Sequence, residues 1–121
     1  MNKFGGWAIQ ESCYNLIREI LPEGKTILEM GSGHGTDALS KHYNMIGPKL
    51  ESLSYDLILV DGPNGAIGRG GFLKHLDLFN TNVPIIFDDI NRKDELQMMV
   101  KVSEILNKPC KKLDKHTGYI L

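Results

Sequence analysis

Cysteine and tryptophan are scarce in this chain of 121 residues: two of the first and one of the second. Cys13 and Cys110 stand far apart, and neither sits in a CxxC or Cys/His spacing, which argues against a disulfide framework and a zinc site. Both read as small core or near-core residues of a reducing compartment. No apolar run approaches membrane-spanning length, and the N-terminus has no basic-then-apolar signal pattern. The expected location is therefore the cytoplasm, with no membrane partner. An excess of one charge is lacking too. Fourteen basic against fifteen acidic residues give a formal charge of −1, and the signs are mixed along the chain. That pattern argues against a general nucleic-acid-binding or membrane-surface role and leaves room only for a local basic patch. The one basic cluster, Lys108, Lys111, Lys112 and Lys115, reads as a solvated face. Internal repeats and low-complexity segments are also missing.

What is present is enough for one minimal domain, residues 1–121, with a single core burying roughly two-thirds of the unfolded surface. Ile9, Cys13, Leu16, Ile17 and Ile20 recur at helical spacing and predict a helix over Ala8 to Leu21, ended by Pro22 and Gly24. Thr26 to Leu28 reads as a buried strand, and Thr36 to Tyr43 as the helix after a glycine turn. Met45-Ile46 is room for only a stub strand. Tyr55 to Val60 and Val83 to Phe87 read as buried parallel strands. Between them, Phe72, Leu73, Leu76 and Phe79 mark a helix. Asn91 followed by Asp94 looks like an N-cap arrangement for a helix carrying Leu96, Met99, Val100 and Leu106, which Pro109 breaks. Cys110 to Leu113 and Gly118 to Leu121 form a terminal hairpin through Lys115-His116-Thr117.

The chain is organised around Ile27-Leu28-Glu29-Met30-Gly31-Ser32-Gly33-His34-Gly35-Thr36. Glycine lacks a Cβ, so such a turn lets a ligand lie against the backbone, and the following helix start offers free N–H groups. Any tight strand-to-helix turn uses glycine as well. Dinucleotide folds favour G-x-G-x-x-G. Here the pattern is E-x-G-x-G-x-G, which resembles motif I of class I S-adenosylmethionine (SAM) methyltransferases. The stretches Tyr-Asp-Leu-Ile-Leu-Val-Asp-Gly-Pro, ending at Pro63, and Phe-Asp-Asp-Ile-Asn-Arg, ending at Arg92, resemble a group of small-substrate bacterial methyltransferases. The resemblance covers most of the chain.

That resemblance implies an α/β fold: a reduced, Rossmann-like, mostly parallel sheet of order about 2-1-4-5 with a short terminal hairpin, and helices on both faces. It implies SAM as cofactor, held by Glu29, Gly31, Ser32, Gly33, Gly35 and Asp61, with a small-molecule methyl acceptor. Asp61, Asp88 and His34 are the candidate catalytic residues. Asp61, Asp88 and Asp89 end neighbouring strands, and oxygen-only ligands suit Mg²⁺ or another divalent cation able to assist O-methylation. The competing reading makes Asp88 and Asp89 helix caps and Asp61 the start of an Asp-Gly-Pro turn. Arg69 is the candidate for a substrate carboxylate or phosphate, and Trp7 for a lid or stacking residue. A surface loop arginine and a plain hydrophobic anchor are their ordinary alternatives. His75 reads as structural or exposed, while His42 and His116 give no specific signal.

The sequence also departs from the family. Seven strands in the order 3-2-1-4-5-7-6 are usual, but strand 3 is absent here. Gly47-Pro48 stands where a ribose-binding carboxylate normally follows strand 2. A non-catalytic relic, acting as a binding or self-associating module, is the rival expectation. A homodimer is the expected way to complete an open sheet edge.

Overall fold

The computed structural model describes residues 11–31, 37–46, 54–61, 79–88, 90, 91 and 93–121, without the side chains of residues 30, 37, 38 and 61. Helix α1, Glu11–Ile20, buries Cys13, Leu16 and Ile17 at the i, i+3, i+4 spacing of one stripe. Glu11 in its first turn and Arg18 in its last match the helix dipole. Strand β1, Thr26–Gly31, runs three residues beyond the expected run. A four-residue helix, α2 (Asp37–Ser40), is shorter than expected. It leads to β2, Asn44–Ile46, the stub strand. Strands β3 (Leu57–Asp61) and β4 (Ile85–Phe87) are the two buried runs. Helix α3, Lys93–Leu106, follows, and β5 (Cys110–Lys112) and β6 (Gly118–Ile120) close the chain.

The sheet has six strands in the order β2-β1-β3-β4-β6-β5. The first four are parallel, and β6 pairs antiparallel with both β4 and β5. The expected 2-1-4-5 counts these four parallel segments by the numbering of the seven-stranded family the sequence resembles, with strand 3 left out. Numbered along this chain, the parallel strands run 2-1-3-4. The terminal pair forms the expected hairpin, β5 antiparallel to β6, and it fills the next two places because β6 takes the free edge of β4. What results is a mixed α/β sheet.

Alternation along the strands divides the core in two. Leu28, Ile58, Val60, Ile85, Phe87 and Ile120 face α3 and pack with Met98, Met99 and Val102. Ile27, Leu57, Leu59 and Ile86 face the other way, onto Cys13, Leu16 and Ile17 of α1 and Leu39 of α2. Helices therefore cover both faces. Because β3 and β4 are buried on both sides, their sequences are continuous apolar runs rather than alternating ones. Tyr43 sits at the edge of the second core, and its hydroxyl donates to the Leu21 carbonyl at 2.6 Å.

Helix α3 begins at Lys93, so Asn91 precedes it by two positions rather than capping it directly. Its C-terminus is closed by Asn107, in the left-handed region at φ 55°. Asn107 N–H donates to the Glu104 carbonyl and Lys108 N–H to the Ser103 carbonyl, at 3.2 and 3.1 Å. This is a Schellman ending, and it stops the helix before Pro109 is reached. At the open edges, β2 and β5 are only three residues long, and Lys111 and Lys112 are exposed on β5. Short strands and edge lysines both discourage further pairing.

Candidate functional site

Strand β1 lies between β2 and β3, its neighbours before and after a change in the direction of winding. Ligands of open α/β sheets bind at the carboxyl ends of strands flanking such a point. The register places Gly31 opposite Asp61 there. One strand further on, Val60 pairs with Phe87, and Asp88 N–H donates to the Val60 carbonyl at 2.9 Å. Gly31, Asp61 and Asp88 thus end three adjacent strands, spaced by about 5 Å per strand.

Glu29 lies two residues before Gly31, in register with Leu59, and is buried at 8% exposure. Asp88 is buried at 2%. Carboxylates are seldom enclosed to this degree without a role for their charge or their hydrogen bonds. A third buried carboxylate, Glu95 at 0%, stands in the first turn of α3. Because α3 follows β4, that turn lies at the same end of the sheet.

Two further pieces of backbone meet here. Since β6 runs antiparallel to β4 and Gly118 pairs with Phe87, the residues just before Gly118 lie beside those just after Phe87. Ile90 N–H donates to the His116 carbonyl at 2.9 Å. The turn itself is built on Asp114, whose Oδ1 accepts from the N–H groups of His116 and Thr117, each at 2.9 Å. This is an Asx turn. Helix α1 runs back along the sheet and so begins at this end as well. Ser12 Oγ lies 3.2 Å from Thr117 Oγ1, within hydrogen-bond distance. Partial burial pushes the Asp114 carboxyl up. The bonds from Ser12, His116 and Thr117, with the charge of His116, outweigh it and hold the pKa below the ordinary range.

Of the residues expected at the site, Glu29, Gly31, Asp61 and Asp88 are brought to one end of three adjacent strands. Ser32, Gly33, His34, Gly35, Asp89, Arg69 and Trp7 lie outside the described residues, as does His75. Among the described residues, no group of three His, Cys, Asp or Glu side chains is arranged to hold a metal. Asp89 and the side chain of Asp61 are outside that set. His42 is elsewhere, within 3.3 Å of Glu23. Glu95, Ser12, Asp114, His116 and Thr117 were not expected at this end. The one local signal for them is Asp114 at the head of a turn, followed by two main-chain donors.

No protein-family model matches the chain, and comparison with curated proteins and with solved structures gives no significant match.

Proposed function

We propose that the protein is a minimal SAM-dependent methyltransferase acting on a small-molecule acceptor. The observation that carries this reading is the pairing of Gly31 with Asp61 beside the winding change, with Glu29 buried one pleat earlier. A residue without a side chain lets a ligand approach the strand end. The carboxylates of Glu29 and Asp61 suit the ammonium and sulfonium groups of SAM, so these residues fit its amino-acid end. When bound, SAM supplies an electrophilic methyl carbon. Glu29, Gly31 and Asp61, with the Ser32–Gly35 turn, would hold its amino-acid end, and Asp88 would border the acceptor. Methyl transfer is an in-line displacement, so the main task of these residues is to orient two reactants and exclude water. The Rossmann-like character of the sheet belongs to the same proposal.

Calorimetric titration with SAM and with S-adenosylhomocysteine, with and without Mg²⁺, tests it. Saturable binding that a Gly33→Val change abolishes supports the reading, and an Mg²⁺ requirement would support the metal-assisted form. Absence of binding at millimolar ligand overturns it.

A second reading, a self-associating module without catalysis, is favoured by the side chains of β2: Met45 and Ile46 are no more than half-buried on that edge strand. Sedimentation equilibrium showing a dimer that an Ile46→Lys change dissociates would support it, and a monomer at all concentrations would remove it.

A further inference from the structure

Strand β5 has a neighbour on one side only. It ends the sheet at the edge opposite β2, and among the described residues no strand lies beyond it. In the hairpin, Leu113 N–H donates to the Thr117 carbonyl at 2.8 Å. Bonded and non-bonded pairs alternate along an antiparallel ladder. Lys111, two residues earlier, is therefore the next to bond across to β6, where it stands opposite Tyr119. The N–H and C=O groups of Cys110 and Lys112 then point away from β6, along the open edge. Pro109 falls on the inward side of the same alternation, so the N–H it lacks does not blunt this edge.

The side chains here are cationic. Lys111 and Lys112 are exposed, as is Lys115 in the turn. The one acid between Lys108 and Lys115 is Asp114, whose carboxylate is engaged by the N–H groups of the turn. The two strand lysines stand on opposite faces. Cys110 packs against the core on the α3 side, and Lys112, two residues on, shares its face. Lys111 stands opposite Tyr119, which packs against the core on the α1 side. A membrane surface or a nucleic acid spread over one face of the sheet would meet only one of them. A strand added in the plane of the sheet meets both. A second β5 edge is repelled, because like charges would then face each other.

We propose that β5 is a docking edge for an extended acidic segment of a partner protein, which adds to the sheet as a further strand. Its main chain bonds to the outward N–H and C=O groups of Cys110 and Lys112. Adjacent carboxylates on a strand also point to opposite faces, so they meet Lys112 and Lys111 in turn. Leu113, 43% exposed, offers an apolar contact beside them. This edge is independent of the SAM reading.

The test is an NMR titration of the full chain with a short blocked peptide of valine and threonine around two adjacent glutamates. Slowed amide-hydrogen exchange at Cys110 and Lys112, with the β2 amides unchanged, supports the proposal. Changing Lys111→Glu together with Lys112→Glu leaves the core untouched and should weaken binding at least about tenfold. A peptide N-methylated at the residues facing β5 keeps its charges, loses its main-chain donors and should not bind. Equal affinity of that peptide overturns the proposal, since attraction to lysine is then sufficient. Absence of binding at millimolar peptide overturns it too, as does self-association through β5 in the peptide-free chain. Tighter binding of an equally charged oligonucleotide or anionic lipid vesicle at the same amides would assign the edge to that ligand instead.

Discussion

Gly31 stands opposite Asp61 at the last rung of the β1–β3 ladder, where two parallel strands deliver their carboxyl ends side by side. A Gly31→Val change suits a strand but puts a branched side chain where a ligand would lie. The expected outcome is a loss of S-adenosylhomocysteine affinity of at least about tenfold, near 1.4 kcal/mol, read by calorimetry. Unchanged affinity in a folded variant would place the ligand elsewhere.

Asp114 governs the acid limb of stability at the hairpin turn. Its folded pKa lies below the ordinary 3.8, so its stabilisation is complete above that value. It is lost as pH falls through the folded pKa. Asp114→Asn keeps an acceptor for the Asx turn and should flatten this part of the pH profile. Asp114→Ala, which loses the acceptor, should cost about 1–2 kcal/mol at neutral pH. Urea unfolding at several pH values separates the two.

Asn107 holds the left-handed residue that ends α3. Glycine adopts this conformation without a Cβ penalty, so Asn107→Gly should be neutral or stabilise by a few tenths of a kcal/mol. Asn107→Ala should cost about 1 kcal/mol. A thermal melt that ranks Ala above Gly would refute the assignment of this ending.

Gly118 has no room for a side chain. A Cβ there would run into the Met99 sulfur and come within 3.1 Å of Ile90 Cδ1. Met99 is flexible but buried at 1%, so Gly118→Ala should cost about 1–3 kcal/mol. Replacing Met99 by leucine in the same chain should change that cost, because the two positions are in contact. Denaturant midpoints of the four proteins in this cycle measure the coupling.

Much of this architecture was legible residue by residue. The stripe of Cys13, Leu16 and Ile17 announced α1, and the unbroken apolar runs at Leu57–Val60 and Ile85–Phe87 announced strands covered on both faces. Glu29, Gly31, Asp61 and Asp88 were readable as strand-end residues because each follows or interrupts such a run. The end of α3 differs from what the sequence suggests. Pro109 is the more visible breaker, but Asn107 acts first, since a left-handed residue with two return hydrogen bonds closes a helix from within.

Local periodicity and turn chemistry alone thus determined which segments became strands and helices and which side each presents, because both depend on spacings within a few residues. Only the tertiary structure decided that β6 lies against β4. That pairing depends on a free edge and on Gly118 fitting beneath Met99, contacts between residues far apart in the chain. The same pairing carries His116, Thr117 and Asp114 to the strand ends that hold Asp61 and Asp88. No spacing in the sequence records it, since His116 stands 55 positions after Asp61 and the pairing of β6 with β4 alone brings the two to one end of the sheet.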